Sequence, residues 1–154
     1  MTPDEYVKQV NAVLSEHTAQ AATRLAAALE LVPPKTQAAE IEIFVDQDGE
    51  GFLGVRVGLV GSDLFVLNRA IAAHAELFTT RMTQSGLEPP LPLMAARRET
   101  FSVHDVLTDC AASWVRSVWR QTDRAGFHLP LTVVSHDGYG TTTPFDLSHD
   151  TNAA

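Results

Sequence analysis

Cysteine is nearly absent from this chain. Cys110 is the single one in 154 residues, which excludes an internal disulfide and any cysteine-based zinc cluster. Positive charge is scarce as well: 11 Lys and Arg stand against 19 Asp and Glu, a formal net charge of −8 at pH 7. Phosphate-rich surfaces would be repelled by such a charge, so neither nucleic acid nor an anionic membrane is an expected partner. No apolar run approaches the roughly 20 residues of a membrane span, and the opening MTPDEYVKQV is acidic and has no apolar leader core. These absences together predict a cytoplasmic location.

Catalytic punctuation is missing too. There is no G-x-G-x-x-G or Walker loop to cradle a phosphate. No H-E-x-x-H or closely spaced histidine pair suggests a metal, and Ser113 and Ser117 fall inside a helical pattern rather than on a nucleophile elbow. No cofactor and no metal is expected, and the chain leans away from being an enzyme.

What is present is a well-patterned globular chain, 45% hydrophobic and 19% charged, long enough to bury a sizeable core. Pro3 to Leu31 reads as one helix: Thr2 and Glu5 have capping-box spacing, Pro3 suits the first helical position, and Tyr6, Val10, Leu14, Ala21, Leu25 and Ala28 share a face. In EIEIFV, Ile41, Ile43 and Val45 alternate with Glu40, Glu42 and Phe44. In FLGVRVGLV, Leu53, Val55, Val57 and Leu59 alternate with Gly54, Arg56 and Gly58. The DQDGEG between them makes a hairpin. Gly54 and Gly58 imply a twisted or bulged edge, or a close approach to the backbone.

The next segment is ambiguous. Leu64, Leu67, Ile71, Ala75, Phe78 and Met82 form a helical stripe, but Phe65 and Val66 lie off it, so LFVL reads equally as a short strand before a helix from Asn68. LEPPLPL is a loop, with a short strand possible over Leu93–Arg97. A last helix starts at Ser102, buries Val103, Leu107, Cys110, Trp114 and Val118, and is expected to stop at Gly126. HLPLTVVSHDG and GTTTPFDLS then form a second hairpin. The expectation is one α+β domain over residues 1–148, a two-layer sandwich of an antiparallel sheet on about three helices, with a frayed tail at 149–154.

The skeleton V-x-x-D-G-x-G occurs twice, from Val45 and again from Val134. An EF-hand needs oxygen ligands at positions 1, 3 and 5 and a glutamate at 12. With Gly49 or Gly138 at position 6, those ends hold Phe44 and Val55, or Val133 and Pro144. Neither copy qualifies, which leaves at most a weak non-EF cation site at Asp46, Asp48 and Glu50. Asp-Gly is a favoured corner because glycine accepts positive φ, and a duplicated helix–hairpin unit is the alternative explanation.

The most chemical cluster is HDVLTDC. Asp105 and Asp109 share a helix face while Cys110 turns to the apolar stripe, so no base flanks the thiol. The two carboxylates suit the positive end of the helix dipole. His17 and His74 fall at the edges of apolar stripes. Glu40, Glu42, Asp46, Asp48 and Glu50 form a run of acids with no intervening base. On a hairpin, such a run is either a solvated edge that resists aggregation or a surface for a basic partner. Trp119 lies off its helix's main stripe and is a candidate anchor.

In size, acidity and helix-plus-hairpin content the chain resembles bacterial immunity proteins and secretion chaperones, and its Ala, Val and Arg usage is similar to that of high-GC bacteria. The leading expectation is a non-catalytic module binding a basic protein through Glu40, Glu42, Asp46, Asp48 and Glu50, with Trp119 in support. The alternative is a small-molecule-binding protein or small enzyme, its pocket between helices and sheet drawing on His74, Arg97, Arg98, His104 and His136. A homodimer through the Gly54–Gly58 face is a third reading.

Overall fold

Thr2 opens the first helix as its spacing to Glu5 predicts. The Thr2 hydroxyl accepts the Glu5 N–H at 3.2 Å, and the Glu5 carboxylate accepts the Thr2 N–H at 2.9 Å, satisfying two donors that the helix end would leave orphaned. The computed structural model describes residues 1–45, 51–94, 100–124 and 126–148.

The single helix expected over Pro3–Leu31 is two, α1 (Pro3–Ser15) and α2 (Thr18–Glu30). No proline or glycine marks the break. The N–H groups of Glu16 and His17 fall back onto Val13 O and Leu14 O, at 3.2 and 2.9 Å, and the chain turns enough for both helices to lie against α4 (Val103–Gln121). Thr18 restarts the helix inside the core, where its hydroxyl accepts the indole N–H of Trp114 at 3.0 Å. A buried indole N–H without a partner would be costly, so this contact helps select the bend.

Strands β1 (Ala38–Val45) and β2 (Leu53–Val60) form the predicted antiparallel hairpin, with Glu40 opposite Gly58, Glu42 opposite Arg56 and Phe44 opposite Gly54. Ile41, Ile43, Val55 and Val57 are buried against the helices, and the alternate residues face away. Its corner lies outside the described residues.

The stretch LFVL is helical. α3 (Leu64–Ile71) is capped by Asp63, whose carboxylate accepts the Val66 N–H at 3.2 Å. The helical stripe expected to run on through Ala75, Phe78 and Met82 stops at Ile71. After a short 3-10 turn at Ala72–His74, the chain becomes strand β3 (Glu76–Thr79), because its backbone is taken up by the edge of β2: Val57 N–H reaches Ala75 O at 2.8 Å. Long-range pairing overrides the local period here. β4 (Arg81–Thr83) and β5 (Gly86–Glu88) make a separate two-stranded ribbon. Residues 93 and 94 are not in a strand, and the rest of the expected Leu93–Arg97 strand lies outside the described residues.

α4 starts on the predicted Ser102 cap, whose hydroxyl accepts the Asp105 N–H at 3.3 Å. It ends at Gln121 with Thr122 as its cap, before the predicted stop. Gly126, with φ +79°, belongs to the following turn instead. The second hairpin is β6 (Leu131–Ser135) and β7 (Phe145–Asp146), antiparallel but joined by a long loop. β6 also pairs with β1, in parallel. The result is an α+β fold with a mixed five-stranded sheet, β3-β2-β1-β6-β7, rather than a wholly antiparallel one. α2 and α4 lie on one face of it.

This topology argues against duplication. Both hairpins fan outward from the adjacent parallel strands β1 and β6, in the order β2-β1-β6-β7, with α2 and α4 on the same face. Seen from the helices, the partner strand lies to opposite sides in the two units. A mirror relates such units and no rotation does; the Asp-Gly of the first D-G-x-G stretch lies outside the described residues.

Candidate functional site

Because the helices cover one face of the sheet, the other is built from the alternate residues of the strands. Cross-strand register sets two rows on it: Glu76, Arg56, Glu42 and Val134, then Gly58, Glu40, Thr132 and Asp146. Among the described residues on these strands, this face carries four carboxylates (Glu40, Glu42, Glu76, Asp146) against one guanidinium (Arg56). It is also concave. Depressions of about 290 Å³ over Gly58, beside Glu40, Glu42, Leu64 and Asn68, and of about 240 Å³ over Gly54, beside Phe44 and Arg56, run along it.

Of the two strand glycines, Gly58 makes room for a neighbour in the same chain. A Cβ at Gly58 would stand 3.0 Å from the Glu42 carboxylate, a tight approach, whereas one at Gly54 would meet Phe44 Cβ at 3.8 Å, an ordinary contact. A register shift between Val55 and Arg56 supplies the bulge that strand glycines predict. Phe44 rests its ring against His136, centroids 4.6 Å apart.

Where the sheet face meets the start of α3, three consecutive apolar side chains stand in solvent: Leu64, Phe65 and Val66, at 56%, 74% and 56% exposure. Sequence reasoning missed them as site residues although the signal was there, since Phe65 and Val66 fit neither a buried strand nor the helical stripe. Asn68 was missed as well. Its side-chain amide accepts the Leu59 N–H at 2.8 Å and donates to Leu59 O at 3.2 Å, closing the edge of β2 beyond the reach of β3.

The remaining candidates divide. Asp46, Asp48 and Glu50, together with the weak cation site they define, and Arg97 and Arg98 lie outside the described residues. Trp119 is not a surface anchor. It is 2% exposed, with the Arg124 guanidinium 4.2 Å above its ring. Helix α4 is packed by α1 and α2, by the sheet, and by the β6–β7 loop, so a residue off its main stripe is still covered. His74 ends the 3-10 turn, His136 meets Phe44, and His104 stacks on Tyr139 at 4.5 Å. The cavities at the sheet face are lined by none of these three. Among the described residues, no three His, Cys, Asp or Glu side chains are grouped to hold a metal ion.

HDVLTDC has a structural task. Asp105 accepts the Gly140 N–H at 2.8 Å. Asp109 accepts the Thr141 N–H and hydroxyl, each at 2.7 Å, and the Thr142 N–H at 3.3 Å. With His104 on Tyr139 and Arg116 3.8 Å over the Phe145 ring, this side of α4 fastens residues 139–142 of the β6–β7 loop and the start of β7. The carboxylates therefore do more than complement the helix dipole.

Cys110 lies behind them, buried. Burial first, and the Asp109 charge second, push its thiol from 9.0 up to about 11. Buried Tyr6 is pushed up for the same first reason. The folded chain thus holds protons that the unfolded chain releases. Stability from Cys110 is intact below pH 9.0 and is lost as pH rises through about 11. The native thiol is expected to resist a disulfide reagent at pH 8 and to react fully in denaturant. Urea midpoints measured upward from pH 8 should fall less steeply in Cys110→Ala. Rapid native labelling would show that the site opens.

No helix among the described residues is long and apolar enough to cross a membrane. Residues 1–149 match the family described as "Family of unknown function (DUF6389)", and the chain belongs to that family. No curated protein and no solved structure matches it.

Proposed function

We propose that this chain is a non-catalytic protein-binding module whose sheet face away from α2 and α4 receives a basic protein. The observation that carries the reading is the adjacency of two surfaces: a concave sheet face with four carboxylates to one guanidinium, bordered directly by exposed Leu64, Phe65 and Val66. Carboxylates gathered along neighbouring strands repel one another, which a cationic partner relieves. Contiguous exposed apolar side chains at the rim of a polar concavity are what an interface core requires. The acids steer a basic partner in, and the apolar turn of α3 holds it once water is expelled. In sequence, the strand bearing Glu40 and Glu42 runs on into Asp46, Asp48 and Glu50, which extends the same charge.

The experiment is capture from cells that express the protein, with wild type beside a variant carrying Glu40→Lys and Glu42→Lys, both verified as folded, followed by kinetics on any basic protein retained. Charge reversal is expected to slow association by on the order of tenfold or more and to flatten its salt dependence. Phe65→Ser, at a position 74% exposed, should leave folding untouched and speed dissociation. A basic partner bound equally well by wild type and the reversed variant would sink the reading.

A further inference from the structure

Away from the acidic face, on the opposite side of β3, lies a cavity of about 290 Å³ between α2, β3 and the β4–β5 ribbon. In a chain of net charge −8 its polar wall carries two guanidiniums, Arg24 from α2 and Arg81 from β4, with His17 where α2 begins, Gln20 and Thr79 as hydrogen-bonding neighbours. The one carboxylate residue lining it, Glu76, is the cross-strand partner of Arg56 on the sheet face. What it gives Arg24 is its backbone carbonyl, which accepts from Nη1 at 3.2 Å. That bond fixes the half-buried guanidinium in place and uses one of its five N–H donors. Arg81 makes no ion pair among the described residues. The apolar floor is Phe78, held edge-on by His17 with ring centroids 5.4 Å apart, beside Pro89.

We infer that this cavity is a binding site for a small organic carboxylate, its oxyanion held between Arg24 and Arg81 and its short apolar body resting on Phe78 and Pro89. Guanidinium forks match carboxylate geometry and form charge-assisted pairs. A fork anchored through one N–H, with its other donors facing a cavity, is pre-organised for that purpose. The volume sits at the small end of ligand sites, which limits the body to about one ring or a short chain. The site shares its position between helix and sheet with the pocket anticipated from the sequence, but His74, His104 and His136, the described residues of that pocket, do not line it. It also stands independently of the protein-docking reading, since different side chains carry each.

The test is an amide-shift titration of the isotope-labelled full chain with benzoate, and separately with inorganic phosphate, at constant ionic strength. Benzoate is expected to saturate in the millimolar range, with shifts confined to residues 17–24 and 76–81. Phosphate, which has the charge but no apolar body, should bind about tenfold more weakly. Arg81→Gln, at an exposed side chain with no ion-pair partner to lose among the described residues, should weaken benzoate about tenfold or more. Arg24→Gln should do the same, and Arg69→Gln, an exposed arginine elsewhere, should change nothing. If Arg24→Gln disturbs the α2–β3 contact, Arg81→Gln carries the decision alone. Non-saturating shifts, phosphate matching benzoate, or an unchanged affinity in Arg81→Gln would each overturn the inference.

Discussion

Replacing Asp109 with alanine is expected to lower the unfolding free energy by about 2–3 kcal/mol, the scale for hydrogen bonds to an ionised acceptor in a partly exposed setting. One carboxylate satisfies the N–H groups of Thr141 and Thr142 and the Thr141 hydroxyl, so its loss frees the loop rather than a single contact. Amide exchange at Thr141 should rise towards the free-chain rate while β1 and β2 remain protected. Asp109→Asn, which keeps one acceptor oxygen, should fall between the two. Gly140 tests the same clamp from the other side. Its φ of +93° is hostile to a side chain, and a Cβ there would lie 2.7 Å from Thr108 Cγ2 and 3.0 Å from Asp109 Oδ1. Gly140→Val should therefore cost about 3 kcal/mol or more, combining backbone strain with a clash against a buried helix face. A loss under about 0.5 kcal/mol for Asp109→Ala, the usual range for unimportant surface positions, would show that the loop is held by other means.

The clamp also explains which parts of the molecule were legible in its sequence. Caps are local: Thr2 with Glu5, and Ser102 with Asp105, sit three residues apart, so their pattern survives in one dimension. Period-2 alternation is local too, and Ile41, Ile43, Val55 and Val57 are buried as it predicts. What failed depends on distant partners. The bend at His17 is tied to Trp114, which donates to Thr18 from 96 residues away. β3 is a strand because the edge of β2 accepts it, although Ala75, Phe78 and Met82 continue a helical period by coincidence. The parallel pairing of β1 with β6 leaves no turn signal, since the strands are joined through most of the chain. Trp119 misled for a related reason: an exposed angle on an isolated helix is not exposed once packing surrounds that helix.

The acidic face was half legible. Glu40 and Glu42 could be placed on the outer side of β1 from alternation alone, and the register confirms the arrangement. Of its apolar border, Phe65 and Val66 were visible only as residues off the helical stripe, whereas Leu64 fell on that stripe. Local misfits of this kind gather where a chain serves something other than its own folding.

Asn68 joins that border to the sheet, and its removal is the second large effect expected. β2 is paired with β3 only as far as Arg56 and the Ala75 carbonyl; beyond that, Leu59 would present an unpaired N–H and C=O at an open edge. Asn68 occupies both, and also donates to Leu64 O at 2.8 Å, which ties the apolar turn of α3 to the strand. Asn68→Leu keeps the volume but removes all three bonds, so a loss of about 2–3 kcal/mol is expected from three net contributions of about 1 kcal/mol each. The opened edge should pair with a second chain at raised concentration, giving more dimer or larger species by light scattering than wild type at the same concentration. Asn68→Gln separates the two consequences. Its longer amide still offers donor and acceptor to the edge but cannot hold the same α3 position, so it should suppress association while recovering only part of the stability. If Asn68→Leu were as stable as wild type, the edge would be closed by something other than this amide, and the apolar turn would not owe its place beside the acidic face to Asn68.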